Sequence, residues 1–267
     1  MKGRVLIAAG SDSGGGAGIQ ADIKTVSALG GYAMTAITAL TVQDTLGVHG
    51  VLPIPTDMIQ AQLRVCLADL GADAIKTGML GDAATIDAVA EILETVRHIP
   101  VVVDPVMVAK GGASLLANQA VARLRSRLLP LADLLTPNLP EAEALCGMAI
   151  ADEAAMRAAA AILLGFGAAA VLLKGGHLPG DDLVDLLMTR DGETVFRSRR
   201  IATCHTHGTG CTLASAAATG LAQGLSLLDA VARARDFVRD AIAAAPGYGA
   251  GHGPLNHAVW NGRLSVA

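Results

Sequence analysis

Gly208-Thr209-Gly210-Cys211-Thr212 stands immediately before an alanine-rich stretch of helical period. Exposed backbone N–H groups and the positive end of the helix dipole would converge there, an arrangement suited to phosphate. The same setting lowers a thiol pKa, so Cys211 is the cysteine to expect in chemistry, against the plain reading of a small residue packed under a helix. Asp104 ends the apolar run Val101-Val102-Val103, and Asn138 and Glu141 follow Leu134–Thr136. Two carboxylates on one sheet edge, beside nucleotide phosphates, would suit Mg²⁺, a hard ion that keeps part of its water. Asp104 reads equally as a cap, and Glu141 equally as a helix-start residue favoured by the dipole. The chain has five lysines, and Lys76, Lys110 and Lys174 each lie within two residues of a glycine that follows a strand-like segment. They read either as solubilising charge or as cations kept where backbone can approach an anion.

Gly10-Ser11-Asp12-Ser13-Gly14-Gly15-Gly16-Ala17-Gly18 follows the first apolar run and resembles a phosphate loop, yet it has neither a GK[ST] ending nor a clean GxGxxG. A nicotinamide-binding reading also needs an acidic residue about 20 positions on, and Gly30–Thr35 supplies none.

The elements that must position these residues are short β-rich runs bounded by Gly or Pro, alternating with longer segments of helical period. That alternation signals βαβ units and a mainly parallel sheet. Val5–Ala9, Ala33–Thr41, Ala74–Thr77, Val101–Val103, Leu134–Thr136 and Ala169–Leu173 read as strands. Thr56–Leu70 and Ala83–Val96 read as helices flanking the sheet, starting after Pro55 and near Asp82. Asp181–Thr189 and Thr194–Arg199 read as a hairpin turning at Arg190-Asp191-Gly192, and Cys211–Gly224 and Leu227–Ala244 as closing helices. No charge-rich linker or repeat divides residues 1–267, so one domain is expected.

Composition excludes several classes. Hydrophobic residues make up 52% and aromatics only 2%, which suits a Val/Leu/Ile sheet covered by alanine-rich helices. A net charge of -4 and few aromatics disfavour nucleic-acid binding. The longest uncharged apolar stretch, Ala158–Leu173, is too short to span a bilayer and is broken by Gly165 and Gly167, so no membrane association is expected. Cys66, Cys146, Cys204 and Cys211 lack disulfide or zinc spacing, and Val5–Ala9 is too short for a signal-peptide core, so a cytoplasmic location is expected.

Taken in order, Gly10–Thr25, Thr38–Thr45, Lys76-Thr77-Gly78-Met79-Leu80, Asp104-Pro105-Val106-Met107, Thr136–Ala142, Leu173–His177 and His207–Leu213 resemble the motifs of the hydroxymethylpyrimidine/phosphomethylpyrimidine kinases of thiamin biosynthesis, over about residues 4 to 260. The resemblance implies a ribokinase-like α/β/α sandwich. It implies transfer of the ATP γ-phosphate to 4-amino-5-hydroxymethyl-2-methylpyrimidine and then to its monophosphate, with Mg²⁺ as cofactor. By motif, Gly10, Asp22, Gln43, Met79 and Val106 would contact the pyrimidine; Gly208, Thr209 and Gly210 would form the anion hole; Asn138 and Lys174, with Lys110 as a weaker candidate, would face ATP; Asp104 and Glu141 would serve the metal. Cys211 stands where ribokinase-like sugar kinases carry an aspartate general base, so a thiolate would take that part. The resemblance also implies a homodimer, for which the Asp181–Arg199 edge is a candidate surface. The alternatives are a pyridoxal or pyridoxine kinase and a non-catalytic pyrimidine-binding sensor.

Overall fold

The strand β1 (Arg4–Asp12) is buried along almost its whole length, and its alternate residues feed two separate cores. Leu6 and Ala8 join one core, whereas Val5, Ile7 and Ala9 join the other. A strand apolar on both faces must lie inside a sheet covered on both sides. The computed structural model of the chain describes residues 1–107, 118–176, 178 and 180–260.

Around β1 runs a nine-stranded sheet, completed by β2 (Tyr32–Gln43), β3 (Val48–Pro53), β4 (Ala74–Thr77), β5 (Val101–Val103), β6 (Leu134–Leu135), β7 (Ala170–Lys174), β8 (Asp182–Thr189) and β9 (Glu193–Arg199), in the order β3-β2-β1-β4-β5-β6-β7-β8-β9. The centre, β2 to β7, is parallel; β3 and the β8–β9 hairpin add antiparallel edges. On one face pack α2 (Thr56–Asp69), α3 (Ala83–Glu94), α5 (Leu139–Cys146) and α6 (Glu153–Gly165). On the other pack α1 (Gly18–Ala28), α7 (Thr209–Ala222) and α8 (Leu227–Ala243). Between β5 and β6 the chain also forms α4 (Asn118–Arg123) and a π-helical turn at Leu124–Leu128. The three-layer α/β/α sandwich is therefore observed.

Side chains explain the helix positions. Ala214, Ala216, Ala217 and Ala218 are fully buried, so α7 can seat its backbone close to the sheet. Asp82 starts α3 by accepting from Thr85 N at 2.7 Å. The Thr189–Gly192 turn closes the hairpin as its sequence indicates. Two differences from the sequence reading bear on the site: α7 begins at Thr209, which places Cys211 inside its first turn, and an additional strand, β3, pairs Leu40 with Leu52 and Val42 with Gly50.

Candidate active site

β2 lies on one side of β1 and β4 on the other, so the strand order reverses at β1, where open α/β sheets form a crevice at the carboxyl ends of the strands. Gly10 and Met79 abut there: a Cβ added at Gly10 would lie 2.5 Å from Met79 Cε. Gly10 is thus glycine because Met79 already fills its side-chain space. Val106 follows Asp104 and Pro105 and is half-buried.

The glycine loop after β1 is organised by Asp12. Its Oδ1 accepts from Gly14 N at 2.8 Å, and Oδ2 accepts from Gly16 N at 3.0 Å and Ala17 N at 2.8 Å. His207 Nε2 lies 2.9 Å from Oδ2. Burial works to raise the Asp12 pKa, but the hydrogen bonds from His207 and the backbone outweigh it and hold the carboxyl below its usual range. Gln43, at the end of β2, lies beside the same imidazole, with Nε2 to Nε2 at 3.3 Å.

The second glycine loop meets the first. Gly208 has φ +81°, and a Cβ there would collide with the Gly16 carbonyl oxygen, so backbone conformation and close approach both demand glycine. A Cβ added at Gly210 would lie 3.3 Å from Lys174 Nζ and 3.5 Å from Asp104 Oδ2. The start of α7, the end of β7 and the end of β5 therefore converge. Lys174 Nζ is 3.4 Å from Asp104 Oδ1. Thr209 directs its hydroxyl to the Thr206 carbonyl at 2.7 Å, which makes it a brace of the loop.

Asn138 and Glu141 form a reciprocal capping box at the start of α5: Glu141 N donates to Asn138 Oδ1 at 2.9 Å, and Asn138 N donates to Glu141 Oε2 at 2.8 Å. The helix-start reading of Glu141 is thus realised in the structure. Burial, with Asp104 nearby, pushes Glu141 up to about 7 although Lys174 pulls the other way. Burial works against the Lys174 charge as well, yet Asp104 and Glu141 keep that ammonium above its ordinary pKa. Two carboxylates thus face a single lysine, an oxygen-rich set short of positive charge.

Three expectations need correction. Asp22 has no exposed surface: Lys76 Nζ lies 3.0 Å from both of its oxygens and Ser215 Oγ donates to Oδ1 at 2.6 Å, so this carboxylate holds a buried lysine and presents no free oxygen to a ligand. Lys76, likewise fully buried, is not the anion-facing cation that its glycine neighbour suggested. Cys211 does not have a lowered pKa. Burial pushes its thiol up to about 12; Lys76 and a backbone hydrogen bond pull it down, but Asp22 and Asp104 add to the rise. Desolvation outweighs the Lys76 charge and the backbone hydrogen bond that would favour a thiolate. Lys110 lies outside the described residues. Among those described, no group of three or more His, Cys, Asp or Glu side chains is arranged to hold a metal ion.

Sequence reasoning passed over His207 and the anchoring role of Asp12. An aspartate leading into a glycine run is an Asx-turn signal. The partnership with a histidine 195 residues away has no local signature.

The phosphomethylpyrimidine kinase family model matches residues 12–256. The chain is 50% identical over 253 residues to a hydroxymethylpyrimidine/phosphomethylpyrimidine kinase of Streptomyces coelicolor, covering 95% of this chain and 93% of that one. It is 54% identical over 256 residues to a thiamine biosynthesis bifunctional protein of Geobacter sulfurreducens, covering 96% of this chain but only 52% of that longer protein. The ADP complex of a Bacillus subtilis pyridoxal kinase superposes with a TM-score of 0.92 at 38% identity, covering 99% of this chain and 100% of that one. A family match over most of the chain, together with high identity along nearly its full length, shows that the chain belongs to the phosphomethylpyrimidine kinases and has their ribokinase-like fold.

Proposed function

We propose that the chain, acting as one domain over residues 1–267, transfers the γ-phosphoryl group of ATP to the hydroxymethyl oxygen of 4-amino-5-hydroxymethyl-2-methylpyrimidine and then phosphorylates the monophosphate to the diphosphate. The observation that carries the reading is the convergence of Gly210, Lys174 and Asp104 at one end of the sheet, beside the Gly10–Met79 contact.

In this reading the backbone N–H groups at the start of α7 receive the charge that develops on the transferred phosphoryl group, and Lys174 neutralises nucleotide phosphate. Asn138 shapes the nucleotide side of the site through its cap on α5. Gly10, Gln43, Met79 and Val106 line the acceptor side. The acceptor oxygen forms the new P–O bond, ADP leaves, and Cys211 Sγ takes the hydroxyl proton. A neutral thiol cannot accept a proton, so Cys211 acts as the thiolate left when its own proton passes to water; in a loose phosphoryl transition state the hydroxyl proton departs late, so that ionisation is needed only as the transfer finishes. Asp104 and Glu141 fit Mg²⁺, since two hard oxygen donors with too little positive charge suit an ion that otherwise binds water and phosphate. When bound, that ion would neutralise charge on the phosphates.

The pyridoxal kinase reading stands second, favoured by the superposition on a pyridoxal kinase. Assembly as a homodimer is part of the proposal, but its surface moves. β9 bears Glu193, Arg197 and Arg199, charges that discourage edge pairing, whereas β2 and β3 expose Leu40, Val42, Val51 and Leu52. No helix among the described residues is long and apolar enough to cross a membrane. A cytoplasmic location and the absence of nucleic-acid partners belong to the same reading.

The deciding experiment is ATP consumption with Mg²⁺ and hydroxymethylpyrimidine, its monophosphate or pyridoxal as sole acceptor, with products resolved by mass. Conversion of both pyrimidines to the diphosphate supports the proposal. Turnover of pyridoxal alone transfers the assignment to that ring, and tight pyrimidine binding without ATP consumption favours the sensor.

A further inference from the structure

Three backbone N–H groups, from Gly14, Gly16 and Ala17, point at the Asp12 carboxyl group at 2.8–3.0 Å, which requires an ionised acceptor. His207 Nε2, 2.9 Å from Oδ2, must then carry a proton and donate it to that oxygen. Yet the end of Gln43 that faces this N–H is its Nε2, at 3.3 Å, so two donors oppose each other. At the other end Gln43 Oε1 sits 3.2 Å from Thr41 Oγ1, whose one proton also has the Ser11 carbonyl at 2.9 Å. The hydroxyl proton goes to the nearer Ser11 oxygen, which leaves Oε1 facing a Thr41 oxygen rather than a donor of its own. Turning the amide by half a rotation removes the donor–donor clash: Oε1 then shares the His207 N–H with the nearer Asp12 Oδ2 in a three-centre bond, and Nε2 donates to Thr41 Oγ1. The oxygen and nitrogen of an amide are assigned by such networks.

We propose that Asp12 and His207 are positioning residues that fix the Gln43 amide with its oxygen toward His207, so that its remaining N–H and lone pair read a ligand edge carrying an acceptor beside an amino donor. The inference rests on the pyrimidine-kinase reading of the site. A glutamine pairs with such an edge in two-pronged fashion, as it does with adenine. The ring nitrogen and 4-amino group of an aminopyrimidine supply both partners, whereas pyridoxal, with a formyl group beside a phenolic hydroxyl, has no amino group next to a ring nitrogen and presents a different edge. His207 would thereby set substrate preference without touching the substrate.

Steady-state kinetics of wild type, His207→Leu, His207→Gln, Gln43→Ala and the Gln43→Ala/His207→Leu double variant, with hydroxymethylpyrimidine and with pyridoxal, tests this. The expected result is a KM for hydroxymethylpyrimidine raised about tenfold in His207→Leu, with the KM for ATP unchanged and that for pyridoxal moved about twofold at most. His207→Gln, which keeps an N–H donor, should recover most of the loss, and His207→Leu should add about twofold or less in the Gln43→Ala background. An equal loss for both acceptors, or a loss undiminished without Gln43, overturns the proposal and assigns His207 to shaping the Gly208 loop. Nitrogen NMR of histidine-labelled wild type gives a readout independent of turnover and of variant folding. A protonated Nε2 at His207 whose shift moves in Gln43→Ala supports the proposal, and an unprotonated Nε2 overturns it. Wild type that ignores hydroxymethylpyrimidine refutes the pyrimidine-kinase reading instead, while the NMR result still decides the amide geometry.

Discussion

Lys76 Nζ lies 3.0 Å from both carboxylate oxygens of Asp22, and neither side chain has any exposed surface. The pair joins β4 to α1, and Ser215 adds α7 through its 2.6 Å bond to the same carboxylate. Burial pushes Asp22 up and works against the ammonium as well, but the carboxylates around Lys76 leave it raised, so the proton of the pair stays on the lysine. Because Lys76 also acts electrostatically on Cys211, this cross-brace lies directly behind the site.

Removing one member of the pair strands the other charge in the core. Lys76→Met should therefore destabilise the protein by about 3–5 kcal/mol, and Lys76→Met/Asp22→Leu should lose less than Lys76→Met alone. Chemical denaturation of both variants checks this. A Lys76→Met protein as stable as wild type would show that the pair contributes little.

A thiol raised to about 12 reacts slowly with an electrophile that requires thiolate. At pH 8, timed alkylation followed by peptide mass spectrometry should modify the exposed Cys204 well before Cys211. Burial has also raised Cys146, to about 11, so it should lag as well. In turnover, Cys211→Ala should cost more than Cys211→Asp, since aspartate restores a proton acceptor at that position. Wild-type turnover by the alanine variant would remove Cys211 from the mechanism.

Glu141 is raised from an ordinary 4.5 to about 7, so the folded state keeps its proton over an interval in which the unfolded chain has lost it. Stability from this group is fully present below about pH 4.5 and falls as pH rises toward 7. Glu141→Gln preserves the capping box while removing the buried charge. Its melting temperature should match wild type near pH 5 and exceed it by a few degrees at pH 8. A constant difference across that range would contradict the titration.

The exposed apolar side chains of β2 and β3 should form the dimer surface. Leu52→Lys should convert a dimer to a monomer in light scattering after size exclusion, whereas Arg197→Glu on β9 should leave the assembly unchanged. The reverse outcome would return the interface to the hairpin edge.

Periodicity and punctuation along the chain determined the α/β class: apolar runs of strand length, glycine turns and helical stripes are local signals, and the mainly parallel sheet follows from their alternation, whereas the three-layer sandwich was implied by the resemblance of the ordered motifs. The glycine loops at Gly10–Gly18 and Gly208–Gly210 were legible for the same reason, as were the carboxylates and lysine at strand ends. Only the tertiary structure decided which charges meet. Asp22 was placed against the ligand by its motif alone, and nothing local reveals that Lys76 and Ser215 would enclose it. Cys211 read as acidic because the helix start is visible in sequence, whereas the burial that opposes it depends on how the layers close over it. The edge strand β3 escaped notice because it is largely exposed and its pattern is not that of a buried strand. His207 found Asp12 across 195 residues only when two glycine loops came into contact, and desolvation and pairing energies exist only after such contacts form.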